Sequence, residues 1–302
     1  MRRPPLLVAG ARIALVAPAG PLAGIHEVQR GIANIESLGW VPSVGAHLLE
    51  RTGYLAGSDD LRLSDLNLAL ADDDVDGIWC ARGGYGTMRL LDRIDFGALR
   101  RRPKAVIGFS DITALHSAIG INCEIVSFHG PNARFPLTPF SRGSLERATR
   151  RGEDPCGEAR DSKVIRAGRA RGRLAGGNLA ILAALAGTSF ARQLDGAILV
   201  IEDVHESVYR IDRMLQQLRL AGLLERCNGI VAGHFTSVPE EQEDAVRGVD
   251  DVLSEIAHEY RVPCLAGAPI GHVDDQWTIP LGAAAELDTE ARVLRVPSLY
   301  AL

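Results

Sequence analysis

A serine stands where an apolar run breaks into a helical pattern, in KAVIGFSDITALH, with Ser110 between Phe109 and Asp111. A hydroxyl at such a break is exposed by the turn. The first backbone N–H groups of the following helix point at the same spot and could stabilise an oxyanion. Gly108 permits a tight turn, and Asp111 supplies the next backbone N–H. Serine is also among the best helix N-caps, and the second glycine of the hydrolase elbow G-x-S-x-G is missing, so capping alone would account for Ser110 taken by itself.

A serine hydroxyl becomes a useful nucleophile only beside a base, and the base needs an orienting carboxylate. Of eight histidines, His272 is the most suggestive: it follows Pro269, Ile270 and Gly271 at the end of an apolar run and precedes Val273-Asp274-Asp275. Functional residues concentrate at such loop positions. His129 and His234 also close apolar runs and remain competitors. For the carboxylate, AILVIED ends in Glu202 and Asp203, and Glu206 opens the next helix, where the dipole favours an anion. Glu202 is the hardest of these to explain as a cap, because it still belongs to the strand, and a buried carboxylate needs a partner. Neither H-E-x-x-H nor another tight ligand spacing occurs, so no metal and no cofactor is expected.

A second glycine-rich break, CARGGYGTMRLL, also follows an apolar run and opens a helix. Gly83 and Gly84 would let the backbone approach a ligand or a developing negative charge, though a tight turn needing positive φ explains them equally well. G-G-Y-G is not a dinucleotide fingerprint, and no phosphate-loop Lys-Ser/Thr follows. Arg82 beside this turn is a candidate cation for a substrate carboxylate, the alternative being an interdomain salt bridge.

The elements that position these residues alternate. Strands are expected at ARIALVAPA, WVPSVG, DGIWCA, KAVIGFS and EIVSFHGP, with helices between them, one of them capped by Ser58. That order argues for an open, mostly parallel sheet flanked by helices in an N-terminal α/β domain, residues 1–140. Residues 141–170 are polar and arginine-rich and read as an interdomain linker. Residues 171–302 read as a mixed α and β domain. It has strands at AILVIED, NGIVAGHF and PCLAGAPIGH and a long helix burying Val208, Ile211, Leu215 and Leu218. QWTIPLG and AAAELDTEARVLRV read as a closing antiparallel pair with a turn near Asp288 to Glu290. The two turns at Gly83-Gly84 and Ser110 should lie together at the carboxyl edge of the first sheet, where ligands sit in open α/β folds.

The chain has 302 residues and a net charge of -5, which gives no reason to expect nucleic acid or an anionic membrane as partner. No apolar stretch is long enough to span a bilayer. The opening MRRPPLLVAGARIALV is broken by Pro4 and Pro5 and reads as a buried strand rather than a signal. Five scattered cysteines without a C-x-x-C pair fit a reducing, cytoplasmic setting.

ARGGYGTMRLLDRID, IGFSDITALH, RGRLAGGNLAILAALAGT, IEDVHESVYRIDRMLQQLRLAG and GAPIGHVDDQWTIPLGAAAELD together resemble the LD-carboxypeptidase family, the muramoyltetrapeptide carboxypeptidases and their microcin-immunity relatives. The resemblance covers nearly the whole chain outside the arginine-rich stretch. It implies a catalytic Ser110–His272–Glu202 triad and an oxyanion hole at Asp111 and a glycine of Gly83-Gly84, taken as Gly84. Arg82 and Gly83 are expected substrate contacts on their place at the glycine-rich turn. The resemblance also implies a small peptide substrate, a murein tetrapeptide losing its terminal D-alanine in peptidoglycan recycling, and a homodimer. The alternatives are a microcin-immunity peptidase acting on an aminoacyl-nucleotide toxin and a non-catalytic small-ligand binding protein.

Overall fold

The computed structural model describes residues 1–191, 194–238 and 247–297. The first half lays down β1 (Arg12–Val16), α1 (Ile25–Ser37), β2 (Val41–Val44), α2 (Asp59–Ala71), β3 (Gly77–Cys80), α3 (Phe96–Arg101), β4 (Ala105–Gly108), α4 (Thr113–Asn122) and β5 (Ser127–His129). These strands pair in parallel in the order β5-β4-β3-β1-β2. The apolar runs dictate this: β3 and β4 are buried at every position, as strands covered by helices on both faces must be. Ser58 caps α2 by accepting from the Leu61 N–H.

The arginine-rich stretch holds α5 (Pro139–Glu146), a wide turn at Arg147–Arg151, and two short strands, β6 (Gly157–Glu158) and β7 (Lys163–Arg166). Then come β8 (Arg169–Asn178), α6 (Leu179–Leu185), β9 (Ala197–Val204), α7 (Val208–Leu220), β10 (Gly229–Thr236), α8 (Val249–Glu259), β11 (Cys264–Ala266), β12 (Ile279–Leu281), β13 (Ala284–Asp288) and β14 (Val293–Arg295). The second sheet runs β6-β14-β13-β8-β9-β10-β11-β7, parallel from β8 to β11 and antiparallel at both ends. As the periodicity predicts, α7 buries Val208, Ile211, Leu215 and Leu218.

One expectation needs correction. QWTIPLG does not pair with the segment after it. Its strand β12 crosses to the first sheet and pairs antiparallel with β5, Ile279 opposite His129. The closing hairpin is β13–β14 alone. The crossing ties the halves together, as does a continuous buried cluster that contains Ile13, Trp79 and Ile107 of the first sheet and Leu174, Val200 and Val231 of the second. Such a core, about 25 cal/mol per Å² of apolar surface, makes the two sheets one packed body.

Candidate active site

Ser110 follows β4 after one intervening residue and adopts φ 65°, a left-handed conformation that a non-glycine residue holds only when its surroundings impose it. Those surroundings are visible. Asn132 Oδ1 accepts from the Phe109 N–H at 3.2 Å, and the Gly108 carbonyl lies 2.8 Å from His116 Nε2. A short 3₁₀ turn, Ser110–Ile112, then leads into α4. Ser110 is therefore a turn residue rather than a cap, for it makes no capping hydrogen bond.

Gly83 presses against the serine. A Cβ built on Gly83 would stand 2.8 Å from Ser110 Cβ and 3.0 Å from its Oγ, so any larger residue would displace the hydroxyl. The Gly83 carbonyl accepts from the Gly20 N–H at 2.9 Å. In a trans peptide the next N–H points the opposite way, which turns the Gly84 N–H away from Gly20. Asp111 joins the two turns: its buried carboxylate accepts from the Thr87 N–H at 2.8 Å, and burial raises its pKa. Arg82 donates to the Pro21 carbonyl, and burial followed by the neighbouring Arg134 lowers its pKa. Arg134 pairs with Glu27 at 2.6 Å, so the charges around Arg82 belong to the N-terminal half.

Of the three strand-end histidines, His272 faces a carboxylate. Its Nδ1 lies 2.8 Å from Glu202 Oε2, with the glutamate side chain fully buried and the imidazole 21% exposed. Glu202 Oε1 has no partner among the described residues. Gly271, at φ 103°, makes room: a Cβ there would lie 2.6 Å from Glu202 Oε2. His129 is buried with neither ring nitrogen hydrogen-bonded among the described residues, and burial lowers its pKa to about 3. His234 bonds through its backbone N–H to the Ile270 carbonyl at 3.0 Å, and burial lowers its pKa. Asp203 points elsewhere, accepting from Asn178 Nδ2 and the Ala180 N–H, and burial raises its pKa to about 6.

The halves of the site meet at two places. The Phe109 ring packs 4.8 Å from the His272 ring, so the residue before the serine touches that imidazole. No hydrogen bond joins the Ser110 hydroxyl to His272 among the described residues. On the other side Asn178, opposite Glu202 in the β8–β9 register, donates its backbone N–H to Thr113 Oγ1 at the start of α4. Phe109, Asn132, Asn178 and Gly271 are site residues that sequence reasoning missed. The signals were present: a glycine before His272, and an asparagine ending a glycine-rich strand.

A serine in a left-handed turn beside one sheet, with a histidine–carboxylate pair carried by another, is an arrangement of the kind serine-type hydrolases use. The chain matches the LD-carboxypeptidase N-terminal domain over residues 13–130 and the LD-carboxypeptidase C-terminal domain over residues 171–287. It belongs to that family and is a serine-type carboxypeptidase. A probable murein peptide carboxypeptidase of Bacillus subtilis is 36% identical over 95% of this chain and 92% of its own. Among solved structures, the muramoyltetrapeptide carboxypeptidase from Oxalobacter formigenes shares 31% identity at a TM-score of 0.84, covering 94% of this chain and 97% of its own. An MccF-like protein from Bacillus anthracis superposes at 0.88 over 99% of this chain and 100% of its own, with 22% identity, a likeness of fold alone.

Proposed function

We propose that this protein releases terminal D-alanine from murein tetrapeptides by hydrolysing the bond between an L-configured centre and that residue, in peptidoglycan recycling. In this reading His272 takes the Ser110 proton, and Ser110 attacks the peptide carbonyl. The N–H groups of Asp111 and Gly84 hold the oxyanion. His272 then protonates the leaving amine, and water repeats the sequence on the acyl-enzyme. Glu202 fixes the imidazole tautomer through Nδ1, which leaves Nε2 for the serine. The observation that carries the reading is the buried Glu202–His272 pair, whose imidazole packs 4.8 Å from the ring of Phe109, the residue before a serine in a left-handed turn. The names of the relatives supply the substrate class. A cytoplasmic setting, which rests on the scattered cysteines, and a homodimer, which rests on family resemblance, are part of the proposal.

The test is incubation with L-Ala-D-Glu-meso-diaminopimelyl-D-Ala. The native protein should release D-alanine and Ser110→Ala should not. Release at an equal rate by both would remove Ser110 from the chemistry.

A further inference from the structure

Two buried charged side chains, Arg62 of α2 and Asp111 beside the serine, hold the glycine-rich turn. Arg62 Nη1 donates to the Gly86 carbonyl at 2.9 Å, and the Asp111 carboxylate accepts from the Thr87 N–H at 2.8 Å. That carbonyl and that N–H belong to one trans peptide unit, so they point in opposite directions. A cation grips one end of the peptide and an anion the other. The same Nη1 donates to the Pro18 carbonyl, and Gly20, two residues on, donates to the Gly83 carbonyl at 2.9 Å. Arg62 is therefore a common anchor of the two segments that meet at this turn.

The turn needs such anchors. Gly84 stands at φ 105° and Gly86 at φ 133°, so its backbone has freedom that outside contacts must remove. A Cβ on Gly86 would lie 2.7 Å from Arg62 Nη1, and its absence lets the guanidinium reach the carbonyl. Apolar residues could fill the same space at a lower desolvation cost, but they could not fix the direction of a peptide plane. We infer that Arg62 and the Asp111 side chain are positioning residues for the oxyanion hole. By clamping the Gly86–Thr87 peptide they hold the turn that carries the Gly84 N–H against the turn that carries Ser110. The inference rests on the carboxypeptidase reading above. Asp111 then acts twice: its backbone N–H is one oxyanion donor, and its carboxylate holds the loop of the other. The spacing of the two donors is set within the reach of one side chain, and neither Arg62 nor that carboxylate touches substrate.

Two inhibitors test this: L-Ala-D-Glu-meso-diaminopimelic acid with the carboxyl that would bear D-alanine replaced by an aldehyde, and the corresponding alcohol. Ser110 adds to the aldehyde carbon, its proton passes to His272, and the carbonyl oxygen becomes an oxyanion in the hole. The alcohol forms no adduct. Asp111→Ala should weaken the aldehyde by about 10–100-fold and the alcohol by about threefold or less. Asp111→Asn, whose amide oxygen can still accept from Thr87, should keep the aldehyde within about fivefold of native. Arg62→Lys puts one ammonium in place of the guanidinium fork and should behave like Asp111→Ala, for which it substitutes if that variant does not fold. Circular dichroism establishes that each variant measured is folded. A folded Asp111→Ala or Arg62→Lys protein that keeps the native ratio of aldehyde to alcohol binding would overturn the inference and leave the carboxypeptidase reading standing. So would an Asp111→Asn protein that loses the ratio as fully as Asp111→Ala. A native protein that binds the aldehyde no better than the alcohol would overturn the inference alone if it releases D-alanine from the tetrapeptide, and would remove both readings if it does not.

Discussion

Glu202 Oε2 lies 2.8 Å from His272 Nδ1 because Gly271 has no side chain to stand between them. The carboxylate sits on a strand of the second sheet with no exposed surface, and the imidazole leaves that sheet on the loop after β11. Glu202→Gln keeps the shape but offers an amide that can hold either tautomer. It should lower kcat by on the order of 10²–10⁴ while KM changes by about threefold or less. Steady-state kinetics on the tetrapeptide check this.

Gly271→Ala should be worse than its size suggests. The methyl group would meet Glu202 Oε2 at 2.6 Å, and φ 103° is unfavourable for alanine. A loss of about 1–3 kcal/mol in stability together with most of the activity is expected, read by urea denaturation and D-alanine release. Gly83→Ala should spare stability more than activity, because the group it meets is the Ser110 side chain.

Ser110 supplies a thermodynamic signature that does not depend on substrate. Alanine normally outranks glycine for stability within regular structure, but at φ 65° the order should invert. Ser110→Gly should be more stable than Ser110→Ala by about 1 kcal/mol, with both inactive. Paired urea titrations decide it.

His129 sets an acid limit. Its pKa is about 3 in the fold against 6.5 for an unperturbed histidine, so below 6.5 the unfolded chain takes up a proton that the folded chain refuses. Above that pH both forms are neutral and the residue contributes no slope. As pH falls from about 6.5 towards about 3, it should cost about 1.4 kcal/mol per pH unit. His129→Leu should flatten the stability–pH curve in that window, whatever its stability at neutral pH.

Much of the frame is legible in the sequence because local physics decides it. The buried runs of β3 and β4 have no polar residue to expose, Ser58 has an ordinary capping position, and α7 carries a one-sided apolar stripe. The strand β12 is not legible, because its three residues fit either sheet and only the distant partner β5 decides. The strands β6 and β7 are too short and too polar to show a period of two. In the site, Ser110, Glu202 and His272 stand out as chemistry-bearing residues at strand ends. Asn132 and Asn178 do not, since their work is to hold Phe109 and Thr113 across distant chain positions.

The central claim is that Ser110 is the nucleophile and His272, oriented by Glu202, its base. Covalent labelling with a fluorophosphonate, followed by peptide mapping, tests it most directly. The native protein should carry one phosphonyl adduct, on Ser110, and Glu202→Gln and His272→Ala should label far more slowly. An unlabelled Ser110 in a preparation that still releases D-alanine from the tetrapeptide would contradict it.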